Sequence, residues 1–358
     1  MRDDDRLLNL AEVEFGSGVI GVCDICGSRQ AVIVLSKERY KLCVLDFLNK
    51  TWIKTDKKPG APAPLYRSDR VWFDTGAVAS GRAQAIVLSP TKTVKHPVVL
   101  VTPDIYGITT TLLDAAIRFA RDGFEVLLPD VFKTDGIGPG HAVALRSSAQ
   151  FRGGVAVESA RVAQLLHLYV DALEHLRGRE MVDPGKAAVF GTSYGASLAL
   201  GVAAQDTRLA AVVLAYPMPV RPADLAKLVS APLLYVGGTA DRSASKSRSQ
   251  LAAVPATGKT SFEFFEVPGA RHNFLARDLS GYDVGRAEAA WARIEAFLKR
   301  QLLPPPPKPP VMPPKPPTPA SPSAPAPAVA TPTGSPATAP KTSAPASPAP
   351  TSPATPSG

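Results

Sequence analysis

Short apolar runs alternate with helical patterns over residues 63–303, and this alternation limits the folds open to the chain more than any other feature. The predicted strands are Pro97–Val101, Phe124–Pro129, Lys186–Phe190, Ala210–Ala215, Pro232–Val236 and Phe262–Val267. The predicted helices are Leu112–Arg121, Ser159–Leu176, Ala196–Ala204, Leu225–Val229 and Val284–Leu302. Continuous apolar strands separated by helices predict a doubly wound α/β fold, with a mostly parallel sheet covered on both faces.

Proline is distributed unevenly along the chain, and this divides it into parts. The chain has 358 residues and 37 prolines, and 22 of these prolines lie in residues 304–358. The same tail has three lysines, no acidic residue and no aromatic residue, so it cannot bury enough apolar surface to fold. We therefore expect a small module with a linker at 1–62, the α/β domain at 63–303 and a disordered tail at 304–358.

A net charge of +9 would favour an acidic binding partner such as a nucleic acid if the charge were spread over the folded domain. The tail contributes +3, and the only dense basic segment is residues 27–60, so a nucleic-acid partner is disfavoured. No run of 18 apolar residues occurs, which predicts no membrane span. Three acidic residues among the first six, and only three cysteines in all, favour a cytoplasmic protein without a disulfide framework.

A candidate nucleophile follows the predicted strand Lys186–Phe190. The sequence there is Gly191-Thr192-Ser193-Tyr194-Gly195, which is G-x-S-x-G between a strand and a helix. In that context the glycines allow a sharp turn that lifts the serine hydroxyl above the sheet. We predict Ser193 as the nucleophile; the alternative is an ordinary glycine-rich turn between a strand and a helix.

A serine hydroxyl needs a base, usually a histidine that is oriented by an acid. Of the five histidines, His272 follows the strand Phe262–Val267 at its carboxyl end. Asp241 follows the strand Pro232–Val236 in the same way. The order Ser193, Asp241, His272 is that of the α/β-hydrolase fold. The alternatives are that Asp241 caps a helix beginning near Ser243, and that His272 is an ordinary loop residue.

These residues resemble the dienelactone hydrolase family of α/β-hydrolases over about residues 65–303. The matching segments are 103–107, 128–132, 191–195, 237–241 and 268–274. The resemblance implies hydrolysis of a small-molecule ester or lactone without a catalytic cofactor. It also implies an oxyanion hole formed by the backbone N–H groups of Tyr194 and Ile105, and a substrate pocket near Asp104, Tyr106 and Arg277.

The chain also departs from the founding members of that family. They use cysteine where this chain has Ser193, and glutamate where it has Asp104, and Arg277 does not match the register of their carboxylate-binding arginine. We therefore predict a serine hydrolase that cleaves a small carboxylic ester, thioester or lactone. The alternatives are a peptidase or acyltransferase with the same triad, and a non-catalytic protein that recruits partners.

The three cysteines and one aspartate follow the spacing C-x2-C-x16-C-x2-D, as Cys23, Cys26, Cys43 and Asp46. Structural zinc ribbons have a similar spacing with a fourth cysteine, and zinc also accepts carboxylate oxygen. We therefore predict a structural zinc ion in a zinc-ribbon-like module. The alternative is three reduced cysteines that pack a small β element, with Asp46 as a helix cap. A protein partner could bind this module or the proline-rich tail.

Overall fold

The computed structural model describes residues 13–15, 33–35, 40–42, 65–104, 107–130, 159–219, 230–254, 261–277 and 281–304. The predicted helix Leu225–Val229 lies outside these ranges, as does nearly all of the proline-rich tail. The division of the chain at residues 62 and 303 stays a prediction.

The described ranges contain two sheets and five helices. The strands are β1 (Val13–Phe15), β2 (Ile33–Leu35), β3 (Tyr40–Leu42), β4 (Tyr66–Asp74), β5 (Arg82–Pro90), β6 (His96–Thr102), β7 (Glu125–Pro129), β8 (Val182–Thr192), β9 (Ala211–Ala215), β10 (Leu233–Gly238) and β11 (Phe262–Val267). The helices are α1 (Thr110–Arg121), α2 (Ser159–Arg177), α3 (Tyr194–Gln205), α4 (Arg242–Ala252) and α5 (Val284–Leu302).

The larger sheet has the strand order β11-β10-β9-β8-β6-β7-β5-β4. Strands β6 to β11 pair with one another in parallel, whereas β5 pairs antiparallel with both β7 and β4. This confirms the prediction of a mostly parallel α/β sheet. In such sheets chemistry takes place at the carboxyl ends of the strands, so β8, β10 and β11 deliver the predicted triad to one edge.

Helices cover this sheet on both faces. Every residue of β6, β7, β9 and β10 is buried. Because successive residues of a strand point to opposite faces, such burial requires a layer on each side. Phe119 of α1 and Trp291 of α5 both pack on Phe190 of β8, with ring centroids 5.3 and 5.8 Å from it. No helix within the described ranges is both long and apolar enough to cross a membrane.

Strands β1 to β3 and three elements of the α/β domain were not predicted from the sequence. Strands β4 and β5 form the antiparallel margin of the sheet, and helix α4 follows Asp241. Two boundaries also differ in a way that matters for the site. Strand β8 extends through Thr192, and α3 begins at Tyr194 rather than Ala196, so that Ser193 alone separates strand from helix.

Strands β1 to β3 form a separate antiparallel sheet in the order β1-β2-β3. Phe15 pairs with Ile33, and Ile33 pairs with Leu42, so these three residues form one row at one end of the small sheet.

Candidate active site

Ser193 lies at a sharp turn between β8 and α3. Its backbone has φ 52° and ψ −120°, which is costly for a residue with a side chain. The turn is held by hydrogen bonds from Ser193 N to Ala215 O (2.9 Å) and from Ala196 N to Ser193 O (3.2 Å). Such strain is typical of a nucleophile elbow, which exposes the serine at the carboxyl edge of the sheet.

Both glycines of the motif are required by close backbone contacts. A Cβ at Gly191 would overlap the carbonyl oxygen of Gly195 and the hydroxyl of Thr102. A Cβ at Gly195 would overlap the carbonyl oxygens of Thr102 and Pro103. The end of β6 therefore runs directly against the elbow, and Thr102 Oγ1 lies 2.8 Å from Gly195 O.

The structure brings the three predicted triad residues together. Ser193 Oγ lies 2.9 Å from His272 Nε2, and His272 Nδ1 lies 2.5 Å from Asp241 Oδ2. With Nδ1–H donating to Asp241, Nε2 is left as the acceptor for the serine hydroxyl. The side chain of His272 is 30% exposed and that of Asp241 is 3% exposed, so the base is open to a substrate while the acid is enclosed.

The carboxylate of Asp241 makes the contacts that each of the two interpretations of this residue requires. Its Oδ1 accepts hydrogen bonds from Ser243 N (2.9 Å) and Ala244 N (3.1 Å), which caps α4. Its Oδ2 is the atom that faces His272. Because the cap fixes the carboxylate, the second oxygen is held in one position for the imidazole.

A buried tyrosine lies close to this acid. Tyr235 of β10 is 1% exposed, and burial raises its pKa, with further increases from the charges of Asp241 and Glu266. A Cβ at Gly237 would overlap the Tyr235 hydroxyl, so the ring lies along the segment that leads to Asp241. The phenol therefore stays neutral and adds no charge beside the acid.

The predicted oxyanion donors are described only in part. Tyr194 is the first residue of α3 and follows the nucleophile, which is the position expected of one donor. Asp104 is half-buried at the end of β6, and Gly107 N donates to Asp104 O at 3.1 Å. Ile105 and Tyr106 lie outside the described residues.

The guanidinium of Arg277 lies near two carboxylates of the domain. Its Nη2 lies 3.5 Å from Glu288 Oε1 on α5 and 3.8 Å from Asp114 Oδ2 on α1. Its guanidinium also stands over the ring of Tyr282, 5.8 Å from the centroid. Because this charge is shared with two carboxylates, the arrangement gives no support to the predicted substrate contact.

The four predicted metal ligands, Cys23, Cys26, Cys43 and Asp46, all lie outside the described residues. Among the residues that are described, no group of three or more His, Cys, Asp or Glu side chains is placed to hold a metal ion.

Sequence reasoning missed Tyr216, which follows β9 at its carboxyl end. Its ring packs edge-to-face against His272, with the centroids 5.2 Å apart and the planes at 71°. The position at the end of a parallel strand was the available signal, because the triad residues follow their strands in the same way.

A model of the dienelactone hydrolase family matches residues 83–302, which is more than half of the chain. The chain belongs to the dienelactone hydrolase family. This membership makes it a hydrolase that acts on ester bonds, as predicted.

Individual relatives are distant but cover most of the domain. The chain is 26% identical over 242 residues to a protein of Bradyrhizobium sp named a probable 2-oxo-3-(5-oxofuran-2-ylidene)propanoate lactonase, covering 64% of this chain and 94% of that one. It is 27% identical over 218 residues to carboxymethylenebutenolidase of Rhodococcus opacus, covering 57% and 81%. The crystal structure of dienelactone hydrolase from Anabaena variabilis superposes with a TM-score of 0.52 at 18% identity, covering 67% of this chain and all of that one, which confirms the α/β-hydrolase fold.

Proposed function

We propose that this chain is a serine hydrolase that cleaves a small carboxylic ester, thioester or lactone through an acyl-enzyme on Ser193. The observation that carries the proposal is the hydrogen-bonded series from Ser193 through His272 to Asp241, within a dienelactone hydrolase domain. Serine replaces the cysteine of the founding members at a position where a base and an acid lie within reach.

In the first half-reaction, Ser193 Oγ attacks the carbonyl carbon and His272 Nε2 takes the hydroxyl proton. The carbonyl oxygen becomes an oxyanion, which the backbone N–H groups of Tyr194 and Ile105 stabilise. When the intermediate collapses, the bond to the leaving oxygen or sulfur breaks, and His272 delivers its proton to that atom. The acyl group is then held on Ser193 as an ester.

In the second half-reaction, water takes the place of the serine. His272 removes a proton from the water as it attacks the acyl carbon, and the Ser193 oxygen leaves with that proton. The products are a carboxylic acid and the free enzyme. Asp241 orients the imidazole and stabilises its charged form.

The substrate class is tested by a panel of short-chain aryl esters, lactones, thioesters and peptide amides given to the full chain. We expect measurable kcat/KM for esters, thioesters or lactones and turnover at least about 10³-fold slower for amides, because an amine is a much poorer leaving group. Faster turnover of amides than of esters would favour a peptidase. No turnover of any member, with no labelling by a fluorophosphonate, would favour the non-catalytic alternative.

We propose in addition that the N-terminal module holds a structural zinc ion through Cys23, Cys26, Cys43 and Asp46. Three thiolates and one carboxylate complete a tetrahedron and leave no position for a reacting water, so the ion would stabilise the module and take no part in hydrolysis.

The register of the small sheet supports this zinc proposal. The row Phe15, Ile33 and Leu42 marks one end of that sheet. Cys23 and Cys26 belong to the connection between Phe15 and Ile33, and Cys43 follows Leu42 directly. Both halves of the ligand set therefore follow, along the sequence, residues of that one row.

Metal analysis of the freshly purified full chain tests the zinc proposal. We expect about one zinc per chain in the wild type and a loss of most of it in Cys26→Ser and Asp46→Asn, because each variant removes one of four ligands. Asp56→Asn is the matched control, since it changes a carboxylate of the same module outside the ligand spacing. A wild-type chain without zinc, or full zinc content in Cys26→Ser, would contradict the proposal.

A further inference from the structure

We propose that Tyr216 is a positioning residue that holds the His272 imidazole in line with Ser193. This inference rests on the proposed serine-hydrolase function. Within the part of the chain that the structure describes, three residues other than glycine have a positive φ: Ser193 (52°), Tyr216 (38°) and Asn273 (62°).

All three residues with a positive φ lie at the candidate active site. Ser193 is the nucleophile, Asn273 follows His272, and Tyr216 follows the residue whose carbonyl accepts the Ser193 N–H. Backbone strain in a non-glycine residue persists only where the surrounding structure enforces it, and it concentrates at functional sites. The positive φ of Tyr216 (38°) therefore indicates that contacts of this residue at the site hold its backbone in place.

The side chain of Tyr216 is buried between the aromatic rings of His272 and Phe274. Its ring is 1% exposed and stands edge-to-face against His272 (5.2 Å) and against Phe274 (5.7 Å). Aromatic pairs prefer this geometry, and it fixes the plane of each ring relative to the other. The hydrogen bond from His272 to Asp241 fixes one edge of the imidazole, and the tyrosine ring limits its rotation about that bond.

The backbone around Tyr216 is hydrogen-bonded both to Ser193 and to β10, the strand that leads to Asp241. On the nucleophile side, Ser193 N donates to Ala215 O (2.9 Å), and Met218 N donates to Ser193 O (3.3 Å). On the side of β10 in the larger sheet, Tyr216 N donates to the carbonyl of Val236 at 2.6 Å. The strained residue is thus tied to the serine that His272 must reach.

The helix that begins at Asp241 also contacts this segment. Ser247 of α4 is fully buried, and its Oγ lies 2.7 Å from Met218 O and 3.2 Å from Pro217 O. Ser197 of α3 donates to the same Met218 carbonyl at 3.0 Å. The segment from Ala215 to Met218 therefore joins α3, α4 and the imidazole, and Tyr216 is its contact with the base.

The experiment compares Tyr216→Leu with Tyr216→Phe in the full chain. Leucine keeps a Cβ, and hence the same backbone strain, but removes the ring, whereas phenylalanine keeps the ring. We expect Tyr216→Leu to lower kcat about 30- to 100-fold with KM changed less than about threefold, because a small misplacement of the base affects the transition state more than binding. Tyr216→Phe should restore kcat to within about threefold of the wild type.

A matched control separates positioning from loss of stability. Phe119→Leu removes a fully buried ring that packs on Phe190 and Trp291 in the core. It should lower the free energy of unfolding about as much as Tyr216→Leu and leave kcat within about threefold. The rate at which a fluorophosphonate labels Ser193 is the second measurement, and it should fall in Tyr216→Leu alone.

The outcomes distinguish the two proposals. If the wild type labels at Ser193 but Tyr216→Leu labels and turns over at the rate of Phe119→Leu, the positioning role is wrong and the hydrolase proposal stands. A loss in Tyr216→Phe as large as that in Tyr216→Leu would also overturn the role of the ring. A wild-type chain that neither labels nor hydrolyses any ester overturns the proposed function and, with it, this inference.

Discussion

Ser193→Ala is expected to lower kcat for the best ester substrate by about 10⁴- to 10⁶-fold, because the acyl-enzyme can no longer form. KM should change little, since the hydroxyl contributes mainly to the transition state. The overall fold should be unaffected, because alanine keeps the Cβ that the strained turn already accommodates. Activity is measured with purified protein, and covalent labelling by a fluorophosphonate is measured by intact mass.

The control for this variant is Ser249→Ala. Ser249 lies exposed on α4, where its hydroxyl donates to Ser245 O at 3.1 Å on the same helix. It should retain full activity and full labelling. If Ser193→Ala kept more than about one hundredth of the wild-type kcat, the nucleophile would have to be another residue, because removal of a triad nucleophile costs far more than that.

The central strands were predictable from the sequence because each is a continuous apolar run, and burial on both faces requires such a run. Phe262–Val267 and Val284–Leu302 were predicted with the bounds that the structure gives. Strand β4, at the margin of the sheet, was missed because its sequence, YRSDRVWFD, begins with a run of four polar residues after Tyr66 and shows neither a long apolar run nor a regular alternation. Helix α4 was missed because it is largely polar, with RSASKSRSQLA as its sequence.

The approach of Ser193, Asp241 and His272 was predictable because each residue follows its own strand, and their order along the chain is that of the α/β-hydrolase fold. The sequence could not show which neighbours compete for a side chain. Asp114 lies 163 positions before Arg277, and their approach at 3.8 Å depends on how α1 packs in the folded domain. Tyr216 was missed for a related reason: its place at the end of β9 was a local signal, but its contact with His272 spans 56 positions and is set by the folded domain.

Asp241→Asn is expected to lower kcat by about 10³- to 10⁴-fold while leaving the protein folded. An amide can present its NH₂ group to the imidazole, which favours the wrong tautomer of His272, and it lacks the charge that stabilises the imidazolium. The measurement is kcat and KM on the ester panel together with the free energy of unfolding. KM should stay within about threefold of the wild type.

This substitution separates the two roles of Asp241. Asparagine is as good a helix cap as aspartate, so its side-chain oxygen can still accept from Ser243 N and Ala244 N, and α4 should keep its stability. Asp241→Ala removes both roles and should therefore cost about 1 kcal/mol of stability in addition to the loss of activity.

Asp283 provides the matched control, because it caps α5 by accepting from Arg286 N at 2.9 Å. Asp283→Ala should lower the free energy of unfolding and leave kcat unchanged. If Asp241→Asn retained wild-type kcat, Asp241 would be a helix cap alone and the orienting acid would have to be sought elsewhere. If Asp241→Asn lost activity and stability together, partial unfolding would explain the loss of activity without an orienting acid. A fall in kcat at unchanged stability is the expected result, because Oδ1 caps α4 while Oδ2 faces His272.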